Sequence, residues 1–137
     1  MTKTCAFVGN LDMDLQNNWD KVYKLRAFLN DLITNEGYNH FNYCGARGFE
    51  EIAEMALLPF SDDNPKLTES DIWYELPNEI CSLPYDAILS IMLTLIISRS
   101  DLILFYLNEQ SEDVILESYE FAKTLGKKII NVAEKIV

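Results

Sequence analysis

A corner with two glycines and one arginine is the strongest candidate binding site in this sequence. Residues 41–57 read FNYCGARGFEEIAEMAL, so Gly45 and Gly48 separate an apolar run from a helical pattern. Glycine turns let the backbone approach an anion, and the helix that follows directs free N–H groups and its positive dipole end toward it. Arg47 is the cation best placed to meet such a ligand. The residues expected to contact a ligand are Gly9 and Asn10 after the first strand, and Cys44, Gly45, Ala46, Arg47 and Gly48 at this corner.

Carboxylates near the end of the chain are the candidates for catalysis. Glu117 and Glu120 could act as nucleophile or general base in a hydrolysis. They alternate with Lys123 and Lys127 at steps of three and four, which is the ordinary pattern of a solvated helix face. The single histidine, His40, has no partner at a metal-ligand spacing. The sequence therefore favours a role without catalysis, and predicts no metal and no cofactor.

Alternating strands and helices must position these residues. Short apolar runs that end at turns predict strands at residues 4–8, 41–44, 101–107 and 128–132. Apolar residues at steps of three and four predict helices from Trp19 to Gly37, from Phe49 to Pro59, at 85–99 and at 112–125. Caps are expected at Asn17 or Asn18 for the first helix and at Ser111 for the last. The predicted fold class is α/β, a single three-layer Rossmann-like domain over residues 1–137, with a mainly parallel sheet flanked by helices.

One stretch and one helix stand apart from this pattern. Residues 58–80 are irregular, acidic and proline-containing, and their apolar island at 71–76 fits either an edge strand or a helical turn. Residues 85–99 are apolar almost all round, with Ser90, Thr94 and Ser98 as a small polar stripe. Such a helix must be covered on most sides, either within the chain or by a second copy in a homo-oligomer.

Charge and cysteine content restrict the partners and the compartment. The formal net charge of -11 and the pI near 4.4 argue against nucleic-acid and anionic-membrane binding, since both need an excess of Lys and Arg. The longest apolar segment is shorter than the roughly 20 residues of a membrane span. Cys5, Cys44 and Cys81 show no metal or disulfide pattern, which is typical of reduced thiols in a cytoplasmic protein.

Four motifs in order carry a family likeness. They are CAFVG at 5–9, CGARGFEEIA at 44–53, SRSDLILFY at 98–106 and YEFAKTLGKKIIN at 119–131. Together they resemble the SLOG superfamily of Rossmann-like domains, which contains the DprA and LOG proteins, and most of all its YpsA-like branch. The resemblance implies a nucleotide or nucleotide-derived ligand at the carboxyl ends of the strands. It also implies that some members hydrolyse N-glycosidic bonds.

The corners of this chain depart from that family pattern. Gly9-Asn10-Leu11 stands where relatives have Gly-His-Arg, and Met92 and Leu93 stand where they carry an Arg-Asn pair. The last phosphate turn, usually Gly-Gly and a small residue, reads Asp113-Val114-Ile115 and follows further carboxylates. Branched residues resist the positive φ of glycine turns, and carboxylates repel a phosphate. This corner is therefore predicted to have lost phosphate binding.

Three functions follow from these observations. The favoured one is a non-catalytic SLOG-like domain that binds a nucleotide-derived, nucleoside-like or otherwise weakly charged small molecule near Gly9, Gly45 and Arg47. The first alternative is an interaction scaffold that has lost its ligand and forms a homodimer through helix 85–99. The second alternative is a nucleotide N-glycosidic-bond hydrolase that uses Glu117 or Glu120.

Overall fold

A sheet of parallel strands forms the centre of the molecule. The computed structural model describes residues 2–137. The strands are β1 (Thr4–Gly9), β2 (His40–Tyr43), β3 (Thr68–Asp71), β4 (Leu102–Tyr106) and β5 (Lys128–Asn131). They pair in the order β3-β2-β1-β4-β5, and every pairing is parallel. The chain winds outward in both directions from β1 and β4, so the topological switch point lies between these two strands.

Helices cover both faces of the sheet. They are α1 (Trp19–Thr34), α2 (Phe49–Asp63), α3 (Asn78–Cys81), α4 (Tyr85–Arg99) and α5 (Asp113–Thr124), with 3₁₀ turns at Ile72–Glu75 and Val132–Glu134. Cys5 and Phe7 of β1 face the core under α1 and α2, whereas Ala6 and Val8 face the core under α4 and α5. Alternate residues of one strand thus enter two separate cores, because side chains alternate across a pleated sheet. The prediction of a three-layer α/β Rossmann-like domain is confirmed.

Residues 58–80, which were predicted to be irregular, contain regular secondary structure. They contain the end of α2, strand β3, the 3₁₀ turn Ile72–Glu75 and the short helix α3. Strand β3 has the sequence TESD and pairs with β2 along its whole length. An edge strand forms backbone hydrogen bonds with one neighbouring strand only, and its side chains can be polar. The polar composition of β3 therefore gives no sign of a strand in the sequence.

Helix α2 does not end at Pro59, contrary to the prediction. It continues to Asp63 with Pro59 inside. Proline lacks the N–H that would bond the carbonyl of Met55, and it disturbs the next bond in the ladder. The Arg26 guanidinium of α1 donates to the carbonyl of Met55 at 3.0 Å and to that of Ala56 at 3.2 Å. A side chain from the neighbouring helix therefore satisfies the Met55 carbonyl that proline leaves free.

Two expectations for α1 were also wrong. Trp19 and Tyr23 fit the apolar spacing that predicts this helix, but they are 42% and 61% exposed and pack against each other. Asn18 occupies the cap position without a capping bond from its side chain, which donates to the carbonyl of Asp14. The buried residues of α1 are Val22, Leu25, Leu29 and Leu32, and all four belong to the predicted apolar pattern.

Helix α4 is covered within the chain. Its large apolar residues Ile88, Leu89, Met92, Leu93, Ile96 and Ile97 are buried against the sheet and α5. The side that faces solvent carries Ser90, Thr94 and Ser98, and the last two donate to carbonyls one turn earlier in the helix. The apolar surface that suggested a homodimer through 85–99 is thus already used. Across residues 2–137, no helix has the length and apolar character needed to cross a bilayer.

Candidate ligand-binding cleft

Side chains bridge the crevice at the topological switch point. Asn10, which is buried at the end of β1, donates from Nδ2 to Oδ1 of Asn108 at 2.8 Å. The hydroxyl of Ser111 donates to Oδ1 of Asn10 at 2.5 Å and accepts from the backbone N–H of Asn108. Both polar ends of the Asn10 amide are therefore occupied. Open α/β sheets usually bind ligands at this point, but here Asn10 joins two loops.

The corner before α5 contains an anion supplied by the chain itself. The carboxylate of Glu112, at the cap position of α5, accepts from the backbone N–H of Leu11 at 3.1 and 3.2 Å. Glu112 thus holds the loop after β1 against the start of α5. Ser111 does not cap α5, contrary to the prediction, because its hydroxyl is committed to Asn10 and Asn108.

A second internal carboxylate occupies the corner after β2. Glu50 is buried, and its Oε1 accepts from the N–H of Gly45 at 2.8 Å. Its Oε2 accepts from the N–H of Cys44 at 3.1 Å and from the Cys44 thiol at 3.2 Å. A glutamate in the first turn of a helix ordinarily interacts favourably with the helix dipole from the surface. The Glu50 carboxylate instead anchors the turn, because it lies where three donors converge.

Burial determines the ionisation of this pair. Loss of hydration raises the pKa of Glu50 to about 7, although the bonds from Cys44 and Gly45 oppose the shift. Burial, followed by the charge of Glu50, raises the pKa of the Cys44 thiol well above its ordinary value. Because the thiolate is the reactive form of cysteine, Cys44 is a packing and hydrogen-bonding residue here.

Glycines at these corners allow close contact between backbone segments. Gly48 has φ +83, and a Cβ atom there would lie 2.2 Å from the carbonyl oxygen of Asn10. A Cβ atom on Gly9 would lie 2.7 Å from the ring of Phe49. The backbone N–H of Phe49 donates to the carbonyl of Asn10 at 2.9 Å, which joins the two corners. Gly9 and Gly48 therefore serve packing between the corners.

An open cleft of about 550 Å³ lies beside these corners, at the carboxyl ends of β1, β2 and β3. Its lining consists of Leu11, Gly45, Arg47, Asp71, Trp73, Tyr74 and Tyr85. The three aromatic side chains are exposed by 39% (Trp73), 85% (Tyr74) and 51% (Tyr85). Within residues 2–137 none of these rings stacks on another aromatic ring.

The cleft carries one positive and one negative side chain. Arg47 is exposed and forms no hydrogen bond or ion pair with any residue in the described range 2–137. Asp71 is half-buried, and its Oδ1 accepts from the backbone N–H of Trp73 at 3.0 Å. Burial raises the pKa of Asp71, and the bond from Trp73 partly offsets this effect. The two charges share the cleft without pairing with each other.

The structure separates the predicted site residues into two groups. Gly45 and Arg47 line the cleft, whereas Gly9, Asn10, Cys44, Ala46 and Gly48 lie behind it in the packing of the corners. Sequence reasoning missed Asp71, Trp73, Tyr74 and Tyr85. The available signal was the pair of adjacent aromatic residues in the acidic stretch at 71–76, since such residues need a reason to stay exposed.

The catalytic candidates lie away from the cleft. Glu117 and Glu120 are exposed on α5, and Glu120 pairs with Lys123 at 3.6 Å. Glu117 borders a small groove between α4 and α5 that also contains Ser90 and Thr94. No cluster of three His, Cys, Asp or Glu side chains able to hold a metal occurs within residues 2–137.

Comparison with models of known protein families finds no match for this chain, and comparison with curated proteins finds none either. What the cleft binds is therefore inferred from its shape, its charges and the donors that remain free. The free groups are aromatic faces, one guanidinium and one carboxylate.

Proposed function

We propose that this protein is a non-catalytic, SLOG-like binding domain that holds a nucleoside-like molecule without a phosphate in the cleft between Arg47, Trp73 and Tyr85. The ligand would stack its planar ring on the aromatic side chains. Arg47 would donate to a carbonyl or other acceptor on the ligand, because its guanidinium has no partner in residues 2–137.

The observation that carries the proposal is the occupation of two ancestral anion positions by carboxylates. Glu50 takes the N–H groups of Cys44 and Gly45, and Glu112 takes that of Leu11. A phosphate would have to displace these groups and approach their charge. Two like charges about 4 Å apart repel by about 1 kcal/mol in water and about 4 kcal/mol at an effective dielectric of 20. A ligand without phosphate avoids that cost.

Aromatic residues supply the attraction that the backbone no longer provides. Stacking of a base on an aromatic side chain contributes about 1–3 kcal/mol and needs no phosphate contact. Trp73 and Tyr85 keep 39% and 51% of their surface in solvent. An exposed tryptophan beside a concave surface is typical of a binding site and is unfavourable without a partner.

Thermal unfolding and calorimetry with matched probes test the proposal. Adenosine, guanosine, cytidine and uridine are compared with their 5′-monophosphates at constant salt. At least one nucleoside should raise the melting temperature in a dose-dependent way, as expected of a ligand that binds only the folded state. Its monophosphate should bind more weakly.

Two tryptophans of similar exposure provide a matched control. Trp73 in the cleft is 39% exposed and Trp19 on α1 is 42% exposed. Trp73→Ala should abolish the nucleoside response, whereas Trp19→Ala should leave it unchanged. Failure of all nucleosides to bind at millimolar concentration contradicts the proposal. So would a crystal in which a monophosphate is held by the amides of residues 112–115.

A further inference from the structure

We infer that Asp71 is the specificity-determining residue of the cleft, where its carboxylate accepts hydrogen bonds from hydroxyl or amino donors of an uncharged ligand. This inference rests on the proposed function and adds the chemistry by which the ligand is selected. It concerns a residue at the end of the edge strand β3, whose sequence is polar throughout.

The position of Asp71 is fixed by the local backbone. Its Oδ1 caps the 3₁₀ turn through the N–H of Trp73, which keeps the carboxylate and the indole together. On the other side lies Gly45, where a Cβ atom would stand 3.3 Å from Oδ1 and 3.7 Å from Oδ2 of Asp71. Gly45 and Asp71 therefore form one continuous part of the cleft wall.

The carboxylate has unused capacity for hydrogen bonds. An ionised carboxylate offers about four acceptor sites, and Asp71 receives one bond, from Trp73, within residues 2–137. Burial of a charged group without full pairing is unfavourable, which agrees with the raised pKa of Asp71. Donors on a ligand would restore the bonds lost on burial, and bonds to a charged acceptor are the strong ones.

The surrounding charges favour an uncharged ligand. Arg47 is the cation that lines the cleft, and Asp71 lines it too. The negative charges of Asp71 and of the buried Glu50 both raise the pKa of the Cys44 thiol. Since Asp71 opposes the single positive charge of Arg47, an anionic ligand gains little from entering. A molecule with donors at one end and acceptors at the other matches both groups.

The substitution Asp71→Asn tests this role in the full-length chain. Asparagine keeps an Oδ1 that can cap the N–H of Trp73 but removes the charge, and Asp71→Ser is a second variant that keeps a capping oxygen. Affinities for adenosine and AMP are measured by calorimetry. We expect the variants to bind adenosine about tenfold more weakly, the loss of a charge-assisted hydrogen bond, while their affinity for AMP rises.

A control variant and two ligand analogues distinguish a direct hydrogen bond to Asp71 from a general effect of negative charge. Asp86→Asn removes an equal charge from an exposed residue in the first turn of α4, outside the cleft lining, and should leave adenosine binding unchanged. Purine riboside lacks the amino group of adenosine, and 2′,3′-dideoxyadenosine lacks the 2′- and 3′-hydroxyls but keeps the 5′-hydroxyl. The analogue that binds equally to wild type and Asp71→Asn identifies which donor meets Asp71.

The outcomes distinguish this inference from the proposed function. If wild type binds adenosine and both Asp71 variants bind it equally well, the specificity role is overturned while the proposed function stands. If wild type binds no nucleoside, both fail. Release of free adenine that requires Asp71 would overturn the specificity role in favour of a catalytic one.

Discussion

The Oε1 atom of Glu50 lies 2.8 Å from the backbone nitrogen of Gly45, at the turn that was expected to receive an external anion. A side chain of the protein therefore takes the position expected for that anion. Glu50 forms no ion pair with a Lys or Arg side chain in residues 2–137, so hydrogen bonds from Cys44 and Gly45 are its only compensation for burial.

Stability should fall as pH rises through neutrality because of this residue. The pKa of Glu50 is raised to about 7 in the folded protein from 4.5, so folding favours its protonated form. This contribution is fully present below about pH 4.5 and is lost as pH rises through 7. Urea unfolding should show a Glu50-dependent loss of about 1–2 kcal/mol between pH 5.5 and 8.5. Glu50→Gln should abolish this pH-dependent loss of unfolding free energy. Glu51 is an exposed neighbour, so Glu51→Gln should leave the loss unchanged.

The role of Glu50 shows where sequence reasoning stopped. Glycine spacing and the helical pattern after Gly48 predicted the corner, because local chemistry determines turns and helix starts. Whether the first-turn glutamate faces solvent or turns back toward Cys44 depends on packing around the corner. The same limit applies to Asp71 and Trp73, which become cleft residues only because β3 pairs with β2. The α/β alternation, in contrast, follows from apolar periodicity and was predictable.

Arg26 should stabilise α2 through the carbonyl left free by Pro59. Arg26→Ala would leave the Met55 carbonyl without a donor, at a cost of about 1–3 kcal/mol in unfolding free energy. Pro59→Ala restores an N–H that can bond Met55, so the Arg26→Ala loss should be smaller in that background. Urea unfolding of the four proteins in this double-mutant cycle gives the coupling. Purely additive losses would show that Arg26 and Pro59 are independent.

Two glycines with positive φ differ in the space beside them, and Gly48 also has a ψ of -123, a combination that only glycine adopts readily. Gly37 and Gly48 have φ of +78 and +83, but a Cβ atom meets nothing within 4 Å at Gly37 and lies 2.2 Å from the carbonyl oxygen of Asn10 at Gly48. Gly37→Ala should therefore cost about 1–2 kcal/mol, the penalty of left-handed backbone for alanine. Gly48→Ala should cost at least about 1 kcal/mol more, because it also forces the two corners apart. Equal losses in chemical denaturation would contradict the close contact between the corners.

Removal of Glu112 should give the start of α5 an affinity for anions. The Glu112 carboxylate accepts from Leu11 N–H and adds negative charge at the start of α5. Glu112→Ser would free that N–H and expose the positive end of the helix dipole, which favours an anion near the first turn. Calorimetry with inorganic phosphate and AMP should then show binding at least several-fold tighter than wild type, and the gain should shrink as salt increases.

Glu109→Ser is the matched control. Glu109 is exposed in the loop before α5, and its carboxylate accepts no hydrogen bond from a backbone N–H within residues 2–137. The substitution removes the same charge but leaves the bond between Glu112 and Leu11. If both variants gain affinity equally, the effect comes from net charge alone. If neither gains, branched Val114 and Ile115 at the start of the helix are sufficient to exclude phosphate, and the carboxylate serves only to hold the loop after β1.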